Sequence, residues 1–282
     1  MKRKNTITAW LLLLPLLTGL VIFLGAPGAI LIQRSFYTGA GSSRFVALAN
    51  YARVLGSRSF QLAAVHTLLF LAVSVPLLLV VGFVFAQVIN RRLSGSRLFQ
   101  AVLLSPLVLP AVGIVTMVQI FFSDDGLLNG LLAQLGRPAV YWMDSGAAFW
   151  IVVFVFVWKN MGYTTVLLMV GLNGIPRELF EIAEQDGANG RQKLWYITLP
   201  LMVPTLFFTS LLSLVNSFKI YREILLLGGE HPAPDIYFLQ HYIANNFSQM
   251  DYASVAVATV LFVLAVSVFL AAFYWLQQKL EV

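Results

Sequence analysis

A charged and polar patch interrupts one of the long apolar runs of this sequence. It consists of Lys159, Asn160 and Tyr163, with Thr164 beside them, inside the run from about 147 to 172. A lysine or an amide is costly in hydrocarbon, so such groups face protein or water and mark functional sites more often than chance. We therefore expect Lys159 to have a partner or to line a cavity, and the patch is a candidate for a solute pathway.

A second polar set lies in the apolar run that begins near residue 200. Thr205, Thr209 and Ser213 recur at helical spacing and continue into Asn216 and Ser217. One stripe of this kind could line a solute route between helices. Serine and threonine are also ordinary packing residues between membrane helices, and that alternative stays open.

The sequence lacks the usual signatures of catalysis and metal binding. It has no cysteine, and its three histidines are scattered along the chain. The stretch Gly187–Lys193 is the nearest approach to a phosphate-binding loop, but its spacing is wrong and it follows a predicted helix instead of a strand. We expect no cofactor in this chain. An integral membrane enzyme would need a cluster of catalytic groups at one membrane depth, and the sequence shows none.

The composition identifies an all-α membrane protein. Of 282 residues, 59% are hydrophobic and 11% are charged, and the mean hydropathy is +0.83. Apolar runs long enough to cross a bilayer recur along the chain without the alternation of a β-barrel. The net charge of +6 is therefore attributed to loops at a membrane surface and not to nucleic-acid binding.

About six spanning helices are predicted, and no linker divides the chain, so residues 1–282 are expected to form a single transmembrane domain. The predicted spans are about 7–32, 63–89, 99–122, 147–172, 200–220 and 253–276. The basic start Lys2-Arg3-Lys4, together with Arg91, Arg92 and Arg97, predicts that both termini are cytoplasmic. No Asp or Glu falls within these spans, which argues against a proton-coupled secondary transporter.

A polar segment at about 173–199 separates the fourth and fifth spans. Pro176 suits the first turn of a short helix, in which Leu179 and Ile182 share one side and Glu181 lies on the other. Gly187 follows where a glycine could adopt positive φ and turn the chain. Helix, bend and a second helix are therefore predicted.

The second short helix has its own start and stop signals. Asn189 can cap its N-terminus, with Gln192 answering as in a capping box. We expect the helix to end at Leu199-Pro200, because a residue before proline avoids the α region. On residue chemistry alone, the segment could also be an amphipathic helix pair lying on lipid headgroups.

The segment resembles the EAA loop of ABC importer permeases, whose pattern is Glu-Ala-Ala, three residues, Gly, nine residues and Ile-x-Leu-Pro. Ile182 replaces the first alanine. The residues in register are Glu181, Ala183, Gly187, Ile197, Leu199 and Pro200, and Asp186-Gly187-Ala188 is a common form of the central triplet.

Two further motifs resemble the carbohydrate-uptake, maltose-type branch of that family. The stretch Phe45–Tyr51 is similar to Phe-x-Gly-Leu-x-Asn-Tyr, with Ala47 in place of glycine. The stretch Gly126-Leu127-Leu128-Asn129 is also similar to that branch.

The resemblance implies a permease that forms half of a translocation pathway in a prokaryotic plasma (inner) membrane. Its implied partners are a homologous second permease, two ATPase subunits that bind ATP and Mg²⁺, and an extracellular or periplasmic solute-binding protein. The implied ATPase-coupling residues are Glu181, Ala183, Asp186, Gly187 and Ala188. Sugars, oligosaccharides, polyols and glycerol phosphate are all carried by similar chains, and an ion-driven secondary transporter is the alternative.

Overall fold

A computed structural model of the chain describes residues 2–38, 44–90 and 96–280. Arg91 and Arg92, used above for orientation, lie outside these residues. Almost all of the described chain is helical, and one short hairpin joins Tyr37–Thr38 (β1) to Arg44–Phe45 (β2). The α-helices are Lys2–Leu20 (α1), Ala26–Ser35 (α2), Ala49–Gly56 (α3), Arg58–Asn90 (α4), Ser96–Val108 (α5), Ala111–Phe122 (α6), Leu127–Gln134 (α7), Ala147–Asn173 (α8), Arg177–Gln185 (α9), Gly190–Lys193 (α10), Leu199–Ser217 (α11), Tyr221–Gly228 (α12), Leu239–Ser248 (α13) and Tyr252–Leu280 (α14).

Within the described residues, six helical segments are long and apolar enough to cross a membrane, which confirms the predicted all-α membrane fold. Each helix satisfies its own backbone hydrogen bonds, as hydrocarbon requires. The segments are Leu12–Ser35, Arg58–Asn90, Ala111–Gln134, Ala147–Asn173, Gly190–Gly228 and Tyr252–Ala272.

The third predicted span, 99–122, is not one continuous helix. Helix α5 ends at Val108, and α6 begins at Ala111 after Pro110, whose ψ of 152° is extended. The residue before a proline is pushed out of the α region, which explains the interruption at Leu109. The candidate span instead begins at Ala111 and, after a non-helical turn at 123–126, includes α7, which lies beyond the predicted end at about 122.

The prediction that Leu199-Pro200 ends a helix is wrong. A π-helical turn at Leu194–Thr198 joins α10 to α11, and the helix continues through Pro200. A second π turn, Val21–Gly25, likewise ends two residues before Pro27. In a π turn the hydrogen bonds shift by one residue, which relieves the clash and the missing donor that a proline brings to a regular helix.

The chain falls into two compact units, and the single-domain prediction stays a prediction. The first unit comprises residues 1–61 and 242–266. In it, the buried Asn50 side chain donates hydrogen bonds to the carbonyls of Ser35 and Tyr37, at 3.0 and 3.1 Å. The hydroxyls of Tyr51 and Ser35 are 2.8 Å apart. The Asn-Tyr pair of the first-loop motif thus ties α3 to the end of α2.

The start of α14 is fixed in the same unit by Asp251. Its carboxylate accepts hydrogen bonds from the backbone N–H and hydroxyl of Ser254, as a helix cap does, and forms an ion pair with Arg53 at 3.1 Å. Partial burial raises the pKa of Asp251, but the hydrogen bonds from Ser254 and Arg53 outweigh it, so the pKa lies below its ordinary value.

The second unit comprises residues 62–241 and 267–282, and α8 runs through its core. Buried residues of α8 from Ala148 to Val157 pack against Phe70, Ile114, Ile224 and Phe238. Three close approaches surround the same helix. A Cβ on Gly162 would overlap the Leu103 carbonyl oxygen of α5, and one on Gly171 would lie 2.6 Å from Thr205 of α11. A Cβ on Gly82 of α4 would lie 2.7 Å from Thr164.

Candidate functional site

The bend after α9 is built from backbone hydrogen bonds. The N–H of Ala188 donates to the Ala183 carbonyl at 2.8 Å, and the N–H of Gly187 donates to the Glu184 carbonyl at 3.0 Å. Together with the positive φ of Gly187, 80°, these two bonds form a Schellman motif. Three of the five predicted coupling residues, Ala183, Gly187 and Ala188, therefore have a geometric role in turning the chain.

The start of α10 confirms the predicted capping box. The Asn189 side chain accepts a hydrogen bond from the backbone N–H of Gln192, and the Gln192 side chain accepts one from the N–H of Asn189. Lys193 also forms an ion pair with Glu184 at 2.6 Å, across the bend. Two short helices are thus held at a defined angle by interactions within about ten residues.

The segment 177–199 rests on the helices of the second unit through two half-buried side chains. Phe180 of α9 and Ile197 of the π turn pack against a buried cluster that includes Leu168 of α8 and Met202 of α11. By contrast, the Glu181 and Asp186 side chains are exposed. Phe180 and Ile197 anchor the segment, whereas Leu179 and Ile182, which the sequence placed on the apolar side of α9, are exposed. The acidic side chains are open to a partner.

Lys159 has the partner that the sequence required. Its Nζ lies 2.5 Å from Oε1 of Glu223, which is in α12, and Glu223 is only 2% exposed. The second carboxylate oxygen, Oε2, has no hydrogen-bond partner within the described part of the chain. Lys159 lies near the middle of α8, so this ion pair joins two helices at depth.

Glu223 is absent from the residues that the sequence singled out, because it lies three residues beyond the end of the predicted fifth span, about 200–220. The helical candidate span continues to Gly228 through a 3-10 turn at Phe218–Ile220, eight residues beyond the predicted end. Asp124 and Asp125 also fall within the limits of the candidate span Ala111–Gln134, but they are exposed and lie in the turn between α6 and α7. The sequence did hold a signal for an acidic partner: Lys159 lies within an apolar run, and a buried cation requires an anion nearby.

The remaining candidate pathway residues are mostly satisfied within their own helices. The Asn160 side chain donates to the Phe156 carbonyl, Ser213 donates to the Thr209 carbonyl, and Ser217 donates to the Leu214 carbonyl. All three donors are buried. Asn216 differs because it is half-buried and accepts a hydrogen bond from the exposed Lys219 at 2.8 Å.

Tyr163 is half-buried, one turn after Lys159 on α8. The structure therefore brings Lys159 and Glu223 together, whereas the hydroxyls of Ser213 and Ser217 bond to carbonyls of their own helix.

A family model described as "Binding-protein-dependent transport system inner membrane component" matches residues 78–282. The trehalose/maltose transport system permease protein MalF of Thermococcus litoralis is 31% identical over 95% of this chain and 92% of its own length. The sn-glycerol-3-phosphate transport system permease protein UgpA of Yersinia pestis is 31% identical over 80% of this chain and 77% of its own length.

A solved structure shares the fold of the whole chain. A chain of a bacterial alginate ABC transporter, in complex with an alginate pentasaccharide-bound periplasmic protein, aligns with a TM-score of 0.81. The alignment covers 99% of this chain and 96% of the other, at 22% identity.

Proposed function

The chain belongs to the family of binding-protein-dependent transport system inner membrane components, and from this premise we propose that it couples to a separate ATPase through residues 173–199 and forms half of a sugar pathway. As a member of that family it is a multi-pass permease subunit of an ABC importer and not an enzyme. A homologous second permease, two ATPase subunits and a solute-binding protein complete the proposed complex. ATP and Mg²⁺ bind the ATPase subunits.

The observation that carries the coupling proposal is the geometry of α9 and α10. The Schellman turn and the capping box fix two short helices at the end of α8 and the start of α11, and Phe180 and Ile197 anchor them to both helices. A push on this segment is therefore transmitted directly to α8 and α11. The exposed carboxylate of Glu181 is available for a charge-assisted hydrogen bond to a basic group on the ATPase.

In the proposed mechanism this chain performs no bond chemistry. Closure of the ATPase subunits moves the coupling segment, and α8 and α11 move with it because they are packed closely at Gly171 and Thr205. Alternating exposure of the polar patch and of the polar stripe then carries the solute across. The side chains of the patch and the stripe can form hydrogen bonds with the hydroxyl groups of a solute. The side chains concerned are Lys159, Asn160, Tyr163, Ser213, Asn216 and Ser217.

The coupling proposal is tested by Gly187→Val with Gly190→Ala as the matched control. Gly187 has a φ of 80°, and Gly190 has none of this constraint, while a Cβ at either position would meet nothing within 4 Å. A β-branched residue at positive φ is strained, so the bend should open. We expect Gly187→Val and Glu181→Lys to lose at least about tenfold in ATPase pull-down and uptake, with membrane insertion and the Gly190→Ala control unchanged. Normal binding and uptake in both variants would return the segment to a lipid-surface role.

The solute class is tested in proteoliposomes that contain the whole complex. The panel is maltose, trehalose and sn-glycerol 3-phosphate, the solutes in the names of the two relatives above. We expect ATP-dependent uptake of a neutral sugar. Uptake driven by an ion gradient, without ATPase subunits, would instead support the secondary-transporter alternative.

A further inference from the structure

The ion pair between Lys159 and Glu223 has a feature that a simple structural brace does not require. The Lys159 side chain is 20% exposed, whereas Glu223 is almost fully buried. An ammonium group has three N–H donors, and Glu223 Oε1 accepts only one of them. No second acceptor for Lys159 is found among the residues that the structure describes. The lysine therefore presents hydrogen-bond donors on its open side while its charge is compensated from the buried side.

The position of Glu223 keeps this compensation in place. Ile220 and Ile224, on either side of it in the chain, are buried in the same core cluster as Val155 and Phe156 of α8. The 3-10 turn at Phe218–Ile220 ends the regular α11 and sets the direction of α12. The carboxylate is thus held by packing against α8, and Lys159 is held by the carboxylate.

We infer that Glu223 is a specificity-determining, positioning residue: by neutralising Lys159 it makes this part of the pathway favour the hydroxyl groups of a solute over carboxylates or phosphates. The inference rests on the proposed function, because it requires the patch around Lys159 to border the solute route. An unpaired lysine at this depth would attract anions strongly, since charges act over a longer range where water is scarce. Paired, the lysine offers directional N–H donors with little net field.

The electrostatic potential beside the pair is measured with a single thiol. The chain has no cysteine, so Tyr163→Cys, one helical turn from Lys159, introduces the only thiol of this chain, and labelling is read on this chain alone. The detergent-solubilised complex is treated with an anionic thiol reagent, sulfonatoethyl methanethiosulfonate, and with its cationic trimethylammonium counterpart. The ratio of the two rates reports the local charge independently of transport.

We expect Glu223→Gln, which keeps the size of the side chain, to raise the ratio of anionic to cationic rates by about tenfold, as an uncompensated charge one turn away would do. Lys159→Gln should lower the ratio, and the double variant should return it close to the parent value. Glu223→Asp keeps the charge and should leave it unchanged. Where Glu223→Gln fails to reach the membrane, Lys159→Gln gives the same test with the opposite sign.

Lys219→Gln is the matched control, because Lys219 is an exposed cation of the same helical segment without an ion-pair partner among the described residues. Its loss should change the ratio far less than Glu223→Gln does. The inference would be overturned if Glu223→Gln left the ratio unchanged, or if Lys219→Gln changed it by as much. The pair would then be only a structural link between α8 and α12. A thiol at position 163 that reacts with neither reagent would instead contradict the proposed pathway itself.

Discussion

His241 shows how a single buried residue can make this protein sensitive to acid. It is fully buried in α13, and the rings of Tyr221 and Tyr237 lie 4.7 and 5.6 Å from its ring. The backbone N–H of Phe238 donates to Nδ1, so Nδ1 is the acceptor and the proton is assigned to Nε2. Nε2 has no hydrogen-bond partner within the described residues. Burial, with a smaller contribution from His231, lowers the pKa of His241 to about 4.

We expect this histidine to reduce stability at mildly acidic pH. The unfolded chain takes up a proton below about pH 6.5, whereas folded His241 does so only near pH 4, so stability should fall as pH drops from 6.5 towards 4. His241→Gln should flatten this part of the profile, as measured by thermal unfolding in detergent. Comparing slopes and not absolute stabilities removes the effect of lost packing. An unchanged slope in the variant would assign the acid sensitivity to other groups.

Ala47 is strained where the first-loop motif of similar permeases has glycine. Its φ is 47°, in the left-handed region. That conformation costs an L-residue about 1–2 kcal/mol. Glycine at this position would remove the strain, but its greater freedom in the unfolded chain would cancel about 0.5–1 kcal/mol of the gain.

Ala47→Gly is therefore expected to stabilise the protein by about 0.5–1 kcal/mol. The control is Ala52→Gly, an exposed position of α3, which should destabilise by a similar amount. Both are measured by thermal unfolding of the purified chain. A destabilising effect of equal size in the two variants would show that Ala47 is not strained.

Among the elements, α8 is the helix on which the second unit is assembled. Its glycines permit close contact with the backbone of α5 and with side chains of α11, and its lysine reaches α12. Small residues allow such close approaches between membrane helices, where packing and not hydrophobic burial drives association.

Gly162→Ala tests this packing. The added Cβ would meet the Leu103 carbonyl, a backbone atom that cannot rotate away, so we expect a loss of more than about 2 kcal/mol in unfolding free energy. Gly130→Ala is the control: it lies in α7, nothing is within 4 Å of its added Cβ, and it should be neutral or stabilising by up to about 1 kcal/mol. Equal melting temperatures for the two variants would contradict a tight α5–α8 contact.

For the molecule as a whole, the orientation in the membrane remains a prediction from loop charge. The basic N-terminus and the coupling role both place residue 189 in the cytoplasm and residue 137, beyond the candidate span Ala111–Gln134, outside. In this cysteine-free chain, Asn189→Cys should be labelled by an impermeant reagent only from the cytoplasmic side, and Arg137→Cys only from the other. Labelling in the reverse sense would invert the topology and remove the coupling segment from the reach of a cytoplasmic ATPase.

Features that depend on a few neighbouring residues can be predicted from the amino-acid order alone. The number of apolar segments long enough to cross a membrane, six within the described residues, follows from length and hydropathy, because a membrane helix satisfies its backbone within itself. The turn at Gly187 and the capping box at Asn189 and Gln192 follow from bonds that span three to five residues. The family likewise follows from spaced residues in one segment, and the similarity to known permeases confirms it.

Contacts between distant elements required the three-dimensional structure. Lys159 and Glu223 are 64 residues apart, and their pairing depends on how α8 and α12 pack. Pro200 resembles a helix stop in the sequence because the preceding π turn does not follow from local propensity. Gly162 resembles an ordinary helical glycine until α5 is seen against it. Local chemistry predicts a residue's need, such as a counter-ion for a buried lysine, whereas packing between distant segments selects the group that meets it.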